Sequence, residues 1–305
     1  MTDQTLPSDP LWPRAANWLL AAPALDASVA DVAVLGVPAY RTSITPTNAH
    51  ETPAAVRDAL QRYSTYSASH GVDVAKLTAF DFGDIIEPDG PNGETRVQDA
   101  VTKAARRCHF LIAIGGDNSL TYSVMTGLFA EKLPACGLIT IDAHHDLRDG
   151  CNNGAPVRRL LEAGLPGCNV VQIGIADFSN SAAYAARARE AGIKVMPRAA
   201  LRGANFAAVA AAALEVAGAG GRPVFVDIDV DVCDRAEVPG CPSAAPGGIS
   251  ADELRQLVFA LARDPRVAGM DIAEIDATID ARDARTVRLA ALLILEAAAG
   301  LSRRG

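Results

Sequence analysis

The sequence predicts an α/β fold, a parallel sheet covered by helices on both faces, and three observations predict it. Short β-rich apolar runs alternate with Ala- and Leu-rich amphipathic stretches from about residue 31 to the end. The stretches between the runs are long enough for crossover helices, the signature of βαβ units. Four of the eight apolar runs also end in polar residues that an apolar core does not ask for, and ligands of such sheets bind beyond the carboxyl ends of the strands.

The elements follow in order. DVAVLGVP (31–38) is the first strand and TPAAVRDALQRY (52–63) the first amphipathic helix. AFDFGDII (79–86) is a strand, and VQDAVTKAARRC (97–108) is a helix running into the strand HFLIAIGG (109–116). CGLITIDA (136–143) and NVVQIGIA (169–176) are the next strands. The helix AAYAARAREAG (182–192) and the strand GIKVMP (192–197) follow. PVFVDIDV (223–230), the helix ADELRQLVFALAR (251–263) and the strand VAGMDIAE (267–274) complete the set. The Gly- and Pro-rich pieces 87–94 and 238–248 read as loops inside one domain, spanning 31–305, with 1–30 as an N-terminal extension.

Composition excludes several classes of function. Of 305 residues, 50% are hydrophobic and 21% charged, which is not a disordered chain. A formal net charge of −8, no basic run and 5% aromatics exclude general nucleic-acid binding. No run of about 18 apolar residues predicts a membrane span. The six cysteines form no C-x-x-C pair, and with no signal-peptide pattern they point to reduced thiols in the cytoplasm. The Gly-rich turn at 115–117 lacks the G-x-G-x-x-G of a dinucleotide site.

The polar strand ends are GGDNS (115–119), DAHHDLRD (142–149), DIDVDVCD (227–234) and DIAEID (271–276). In an extended chain, alternate residues share a face, so Asp142, His144 and Asp146 present two carboxylates and an imidazole together. Mixed oxygen and nitrogen donors of this kind suit a divalent metal such as Mn2+. Asp227, Asp229 and Asp231 repeat the pattern at the end of PVFV. Three carboxylates on one side repel unless a cation neutralises them or protons stay bound. Two such strand ends fit a binuclear metal centre.

The order GGD-x-S, DAHxD, D-x-D-x-x-D and a late acidic residue resembles the ureohydrolase superfamily of arginases, agmatinases and formimidoylglutamases, over roughly residues 31–300. The resemblance implies a three-layer α/β/α sandwich around an eight-stranded parallel sheet, and two Mn2+ ions per chain that activate the attacking water. It implies Asp142, His144, Asp146, Asp229 and Asp231 as ligands, with Asp234 the third acidic residue of its motif. Asp227 falls where relatives usually carry Ser. Glu274 matches the glutamate that orients the amidine or guanidinium group, and Asp146 is the group that passes the water's proton to the departing nitrogen.

Three departures mark this chain. Asn118 stands where relatives have a metal-binding His and is expected to ligate through its amide oxygen with a weaker hold on that metal, Asn153 stands where arginase has a proton-shuttle His, and Arg235 where the family has Pro after its acidic motif. DLR (146–148) and NNGAPVRRLLEAG resemble the formimidoylglutamase branch, which also lacks the shuttle His. That branch implies a formimidoylglutamate-like substrate, hydrolysed to glutamate and formamide, whose carboxylates want guanidinium partners. Arg148 and Arg41 are the candidates, with Asn153 also placed against the substrate. A guanidino hydrolase of agmatinase or arginase type, releasing urea, is the alternative, and a degenerate metal-binding relative the second. Ni2+, Co2+ or Fe2+ suits the same ligands. Relatives assemble as trimers or hexamers, so a homo-oligomer is expected. His145 should point away from the metals and pack.

Overall fold

Alternation along each strand sends successive side chains to opposite faces of the sheet. In Ala30–Val37, Val32 and Val34 enter one hydrophobic core, while Ala33, Leu35 and Val37 enter another on the far side. The computed structural model describes residues 9–23 and 28–304, and these two cores organise it.

Among the described residues nine parallel strands form the central sheet: β1 (Leu19–Ala21), β2 (Ala30–Val37), β3 (Ala79–Asp84), β4 (Cys108–Gly115), β5 (Gly137–Ile141), β6 (Val170–Ile175), β7 (Lys194–Pro197), β8 (Val224–Asp229) and β9 (Val267–Ala273). Their order across the sheet is β1-β3-β2-β4-β9-β8-β5-β6-β7. All eight strands expected from the sequence are present. The ninth, β1, lies within the segment 1–30, part of which falls outside the described residues, and pairs Leu19 with Ala79 at the sheet edge. Three residues, mostly exposed, carry no readable period, which is why the eight-stranded expectation is one short.

Among the described residues four α-helices cover each face. α1 (Thr52–Ala59), α6 (Phe206–Ala217), α7 (Ala251–Ala262) and α8 (Arg285–Leu301) bury Val56, Leu214, Leu254 and Leu293 on one side. α2 (Gly93–Ala105), α3 (Leu120–Phe129), α4 (Pro156–Glu162) and α5 (Ala182–Glu190) bury Val97, Met125, Leu160 and Ala188 on the other. α7 starts where Ser250 and Glu253 each bond the other's backbone N–H, a capping box that satisfies two otherwise orphaned donors. Among the described residues no helix is long and apolar enough to cross a membrane.

The sheet order matters most for function. β4, β9, β8 and β5 are consecutive in the sheet, and they are the four strands with polar carboxyl ends. Segments as far apart in the chain as Asn118 and Glu274, 156 residues, therefore open onto one rim.

Candidate metal centre

β5 ends at Ile141, and the chain turns at once. Asp142 Oδ1 accepts the His144 N–H at 2.6 Å, and Asp231 Oδ1 accepts the Ala143 N–H at 3.0 Å. β8 ends at Asp229, whose Oδ1 accepts the Asp231 N–H at 2.8 Å and opens a short 3-10 turn over Val230–Val232. The carboxylates are thus gathered by side-chain-to-backbone turns. This corrects the expectation of extended alternation. Only Asp227 and Asp229 are strand residues, and Asp146 has a left-handed φ of +54° that no strand contains.

The turns bring one ligand atom each from Asp142, His144, Asp229 and Asp231 within 4.8 Å of one another. Asp142, Asp229 and Asp231 are buried, and Asp142 Oδ2 has no hydrogen-bond partner among the described residues. Three converging carboxylates and one imidazole with a bare buried oxygen fit a divalent cation of the Mn2+ type. Asp146 and Asn118 stand beside them, with Asn118 Nδ2 donating to Asp146 Oδ2 at 2.7 Å.

Without a cation, the cluster holds itself together with protons. Burial works against charge on His144, but Asp142 and Asp231, whose carboxylates lie 3.5 and 2.7 Å from its Nδ1, overcome it and lift the imidazole to about 11. Burial also opposes charge on Asp231, yet the same imidazolium holds that carboxyl below the usual range. Burial and then Asp231 push Asp142 up to about 7. Burial, reinforced by Asp142, raises Asp146, and burial, reinforced by Asp231, raises Asp229.

Glu274 follows β9 directly, at φ +63°, and its backbone N–H donates to Gly116 O at 2.8 Å. Its Oε1 accepts the Asn118 backbone N–H and the Asn153 side-chain amide, each at 2.8 Å. Burial, with Asp117 behind it, pushes Glu274 up to about 8 against these two donors. A cleft of about 580 Å3 joins Glu274 to His144, Asp146, Asp229, Asp231, Asn153 and Arg148.

Residues 30–300 match the model of the arginase family. The chain belongs to the arginase family. It is 37% identical over 271 residues to a formimidoylglutamase of Halalkalibacterium halodurans, covering 86% of this chain and 84% of that protein. The structure of formimidoylglutamase from Bacillus subtilis superposes with a TM-score of 0.92 at 30% identity, covering 100% and 96% of the two chains. A structure of Trypanosoma cruzi formiminoglutamase with Mn2+ superposes with a TM-score of 0.86 at 26% identity, over 96% and 100%.

Within this arginase-family site, the remaining residues singled out from the sequence divide by position. Arg148 is exposed on the cleft wall, its stem lying over Gly154, where a Cβ would come 2.6 Å from Arg148 Cδ. Among the described residues no carboxylate pairs with its guanidinium. Arg41 instead lies between Glu87 and Asp89, at 3.6 and 3.8 Å, away from the cleft lining. Asn153 bridges two segments, accepting the Ile44 N–H at 3.0 Å while donating to Glu274. Asp234 accepts the Ala236 and Gly247 N–H groups, closing the 238–248 loop at a distance from the cluster. His145 is buried with Nδ1 2.6 Å from Gln172 Oε1.

Other participants escape a reading by motif. Asn180 Oδ1 accepts the His145 N–H at 2.9 Å and its Nδ2 donates to Ala143 O at 2.9 Å, tying the loop after β6 to the ligand loop. Nothing in its local sequence distinguishes it. Asp227 stands in register with Asp271 of β9 and is not one of the four clustered ligands. The acidic DIAEID end was visible, but strand pairing alone tells which aspartate meets which.

Proposed function

We propose that this chain is a binuclear Mn2+-dependent hydrolase that splits N-formimidoyl-glutamate into glutamate and formamide. The observation that carries the reading is the sharing of one cleft by the Asp/His cluster, the Glu274 carboxylate and the Arg148 guanidinium, which pairs with no carboxylate among the described residues. An amidinium wants a carboxylate, a dicarboxylate tail wants a guanidinium, and the carbon between them comes to lie at the cluster. The similarity to formimidoylglutamases supports the same substrate.

Asp142, His144, Asp229 and Asp231, joined by Asp146 and Asn118, would hold the two ions. When bound, Mn2+ supplies Lewis acidity that makes a water nucleophilic near neutral pH. The chain's own residues do the rest. Glu274 receives the amidinium N–H groups, and the Asn118 N–H and Asn153 amide fix the rotamer of its carboxylate. Arg148 binds a substrate carboxylate at the cleft wall. Asp146 takes a proton from the water and delivers it to the glutamate nitrogen as the C–N bond breaks. One water is consumed, its oxygen ending in formamide and its two protons on the two products.

An assembly of three or six copies, in the cytoplasm, belongs to the same proposal, and sedimentation of the purified chain checks the former. The deciding experiment is product identification by NMR after Mn2+ loading, with N-formimidoyl-glutamate, agmatine and arginine offered separately. Equal amounts of glutamate and formamide are expected from the first. Urea from agmatine or arginine, with the first untouched, moves the chain to the guanidino branch. N-formyl-glutamate with ammonia means that the other C–N bond is cut.

A further inference from the structure

Asn118 is the one amide among the residues assigned to the metals, and its hydrogen bonds specify which end faces them. Its backbone is pinned, the N–H donating to Glu274 Oε1 at 2.8 Å. Its side chain is buried, with Nδ2 2.7 Å from Asp146 Oδ2 and Oδ1 accepting from the Thr121 hydroxyl at 3.1 Å. In this orientation the end beside Asp146 is an N–H donor, which cannot ligate a cation. Ligation requires the amide to exchange ends, so that Oδ1 replaces Nδ2 on the Asp146 side.

Thr121 makes that exchange possible. It is fully buried at the start of α3, and its hydroxyl carries one proton but has more than one acceptor in reach. Besides Asn118 Oδ1, Asp227 Oδ1 lies 3.3 Å away. After the exchange, Nδ2 points at Thr121 Oγ1, whose lone pair accepts it. The Thr121 proton then turns to Asp227 Oδ1. Both orientations leave the inward atom of the Asn118 amide partnered, which few side chains other than a hydroxyl allow, because a hydroxyl donates and accepts at once.

We propose that Thr121 is a positioning residue for the second metal, letting Asn118 present its carbonyl oxygen to the ion by taking up the amide N–H and passing its own hydrogen bond to Asp227. The inference rests on the binuclear reading above. Replacing the hydroxyl by a methyl leaves the inward Nδ2 of the ligating orientation without an acceptor. A buried orphan N–H is tolerated less readily than an under-satisfied carbonyl, so the amide stays in its non-ligating orientation.

The test is a Mn2+ titration of the full-length protein, wild type against Thr121→Val and Thr121→Ser. Bound metal is counted by equilibrium dialysis, and the spin-coupled signal of paired ions is read by electron paramagnetic resonance. Wild type is expected to take two ions. Thr121→Val should keep the first and bind the second about tenfold more weakly, with the coupled signal appearing at correspondingly higher Mn2+. Thr121→Ser, which keeps the hydroxyl, should restore the second ion, so a fault of packing at α3 is distinguished from loss of the hydrogen bond. Undiminished second-ion affinity in Thr121→Val, or an equal loss in Thr121→Ser, overturns the role of Thr121 while leaving the binuclear reading standing. A wild type that saturates at one ion overturns both.

Discussion

Asp227 and Asp271 stand in direct register across the β8–β9 ladder, both fully buried, each with an Oδ2 that no donor group among the described residues reaches. Two carboxylates so placed cannot both be charged. Burial pushes Asp271 up to about 7, and burial with Asp271 beside it pushes Asp227 well above the carboxylate range, so the pair shares a proton.

That proton makes the metal-free protein sensitive to pH. For an acid whose folded pKa is raised, stability is fully present below the unfolded value near ~3.9 and is lost as pH rises to about 7. Asp271→Asn supplies a permanent donor to Asp227. In chelator it should therefore be more stable than wild type at pH 8, by about 4 kcal/mol at most, with the advantage vanishing near pH 4. Urea unfolding at the two pH values checks this, and a variant less stable at both would show that the pair is not repulsive.

Metal uptake should expel a proton from His144. Its imidazole, lifted to about 11 by Asp142 and Asp231, is charged at neutral pH in the metal-free protein, and a ligand must be neutral. The ion pair's contribution to stability is present below the unfolded value and lost as pH rises through about 11. Mn2+ binding near pH 7.5 is expected to acidify a weakly buffered solution by at least one proton per first ion, and its affinity to rise about tenfold per pH unit. His144→Ala should lose the ion outright. Indicator-dye titration measures the proton count, and a count of zero would remove His144 from the ligand set.

Asn153 tunes Glu274. Its amide opposes the burial that raises Glu274 to about 8, and bound cations lower that carboxyl further. Asn153→Ala should move the acid limb of kcat/KM upward by about half a unit to one unit, because a charge-assisted hydrogen bond is lost. Glu274→Gln should cut kcat/KM on the order of a hundredfold by removing the anion that faces the amidinium. An unmoved limb in Asn153→Ala would assign it to another group.

The two candidate arginines should separate in kinetics. Arg148→Ala is expected to raise KM by about ten- to a hundredfold with little change in kcat, as loss of a ground-state carboxylate contact does. Arg41, held by Glu87 and Asp89, should tolerate the same change in KM. Steady-state rates over a range of substrate concentration decide it, and the reverse pattern would place the dicarboxylate on the other side of the cleft.

Residue order made the strands legible because their apolar runs and polar ends are properties of single segments. Val32 to Val37 and Ile139 to Ile141 announce burial on both faces, and Asp142, Asp229 and Glu274 announce strand ends facing a ligand. What stayed hidden depends on two segments at once. β1 exists by pairing with Ala79, the Asp142 and Asp229 turns by the carboxylates' reach to nearby N–H groups, and Thr121 by its closeness to Asn118 and Asp227. Arg148 and Arg41 look alike in sequence, and only the neighbours of each tell the cation on the cleft wall from the one held by Glu87 and Asp89.

The period-two layout of β8 also limits how this gene can drift. Phe225 lies on the α2–α5 side and Val224, Val226 and Ile228 on the other, so parity assigns Asp227 and Asp229 to the side of Phe225. A point substitution in the strand alters one side chain. Loss or gain of a single codon between 224 and 229 would turn the downstream acids against Leu254 and Leu293 and offer valines to the cations. Length variation among descendants of this chain should accordingly collect in loops such as 238–248 and spare the strand.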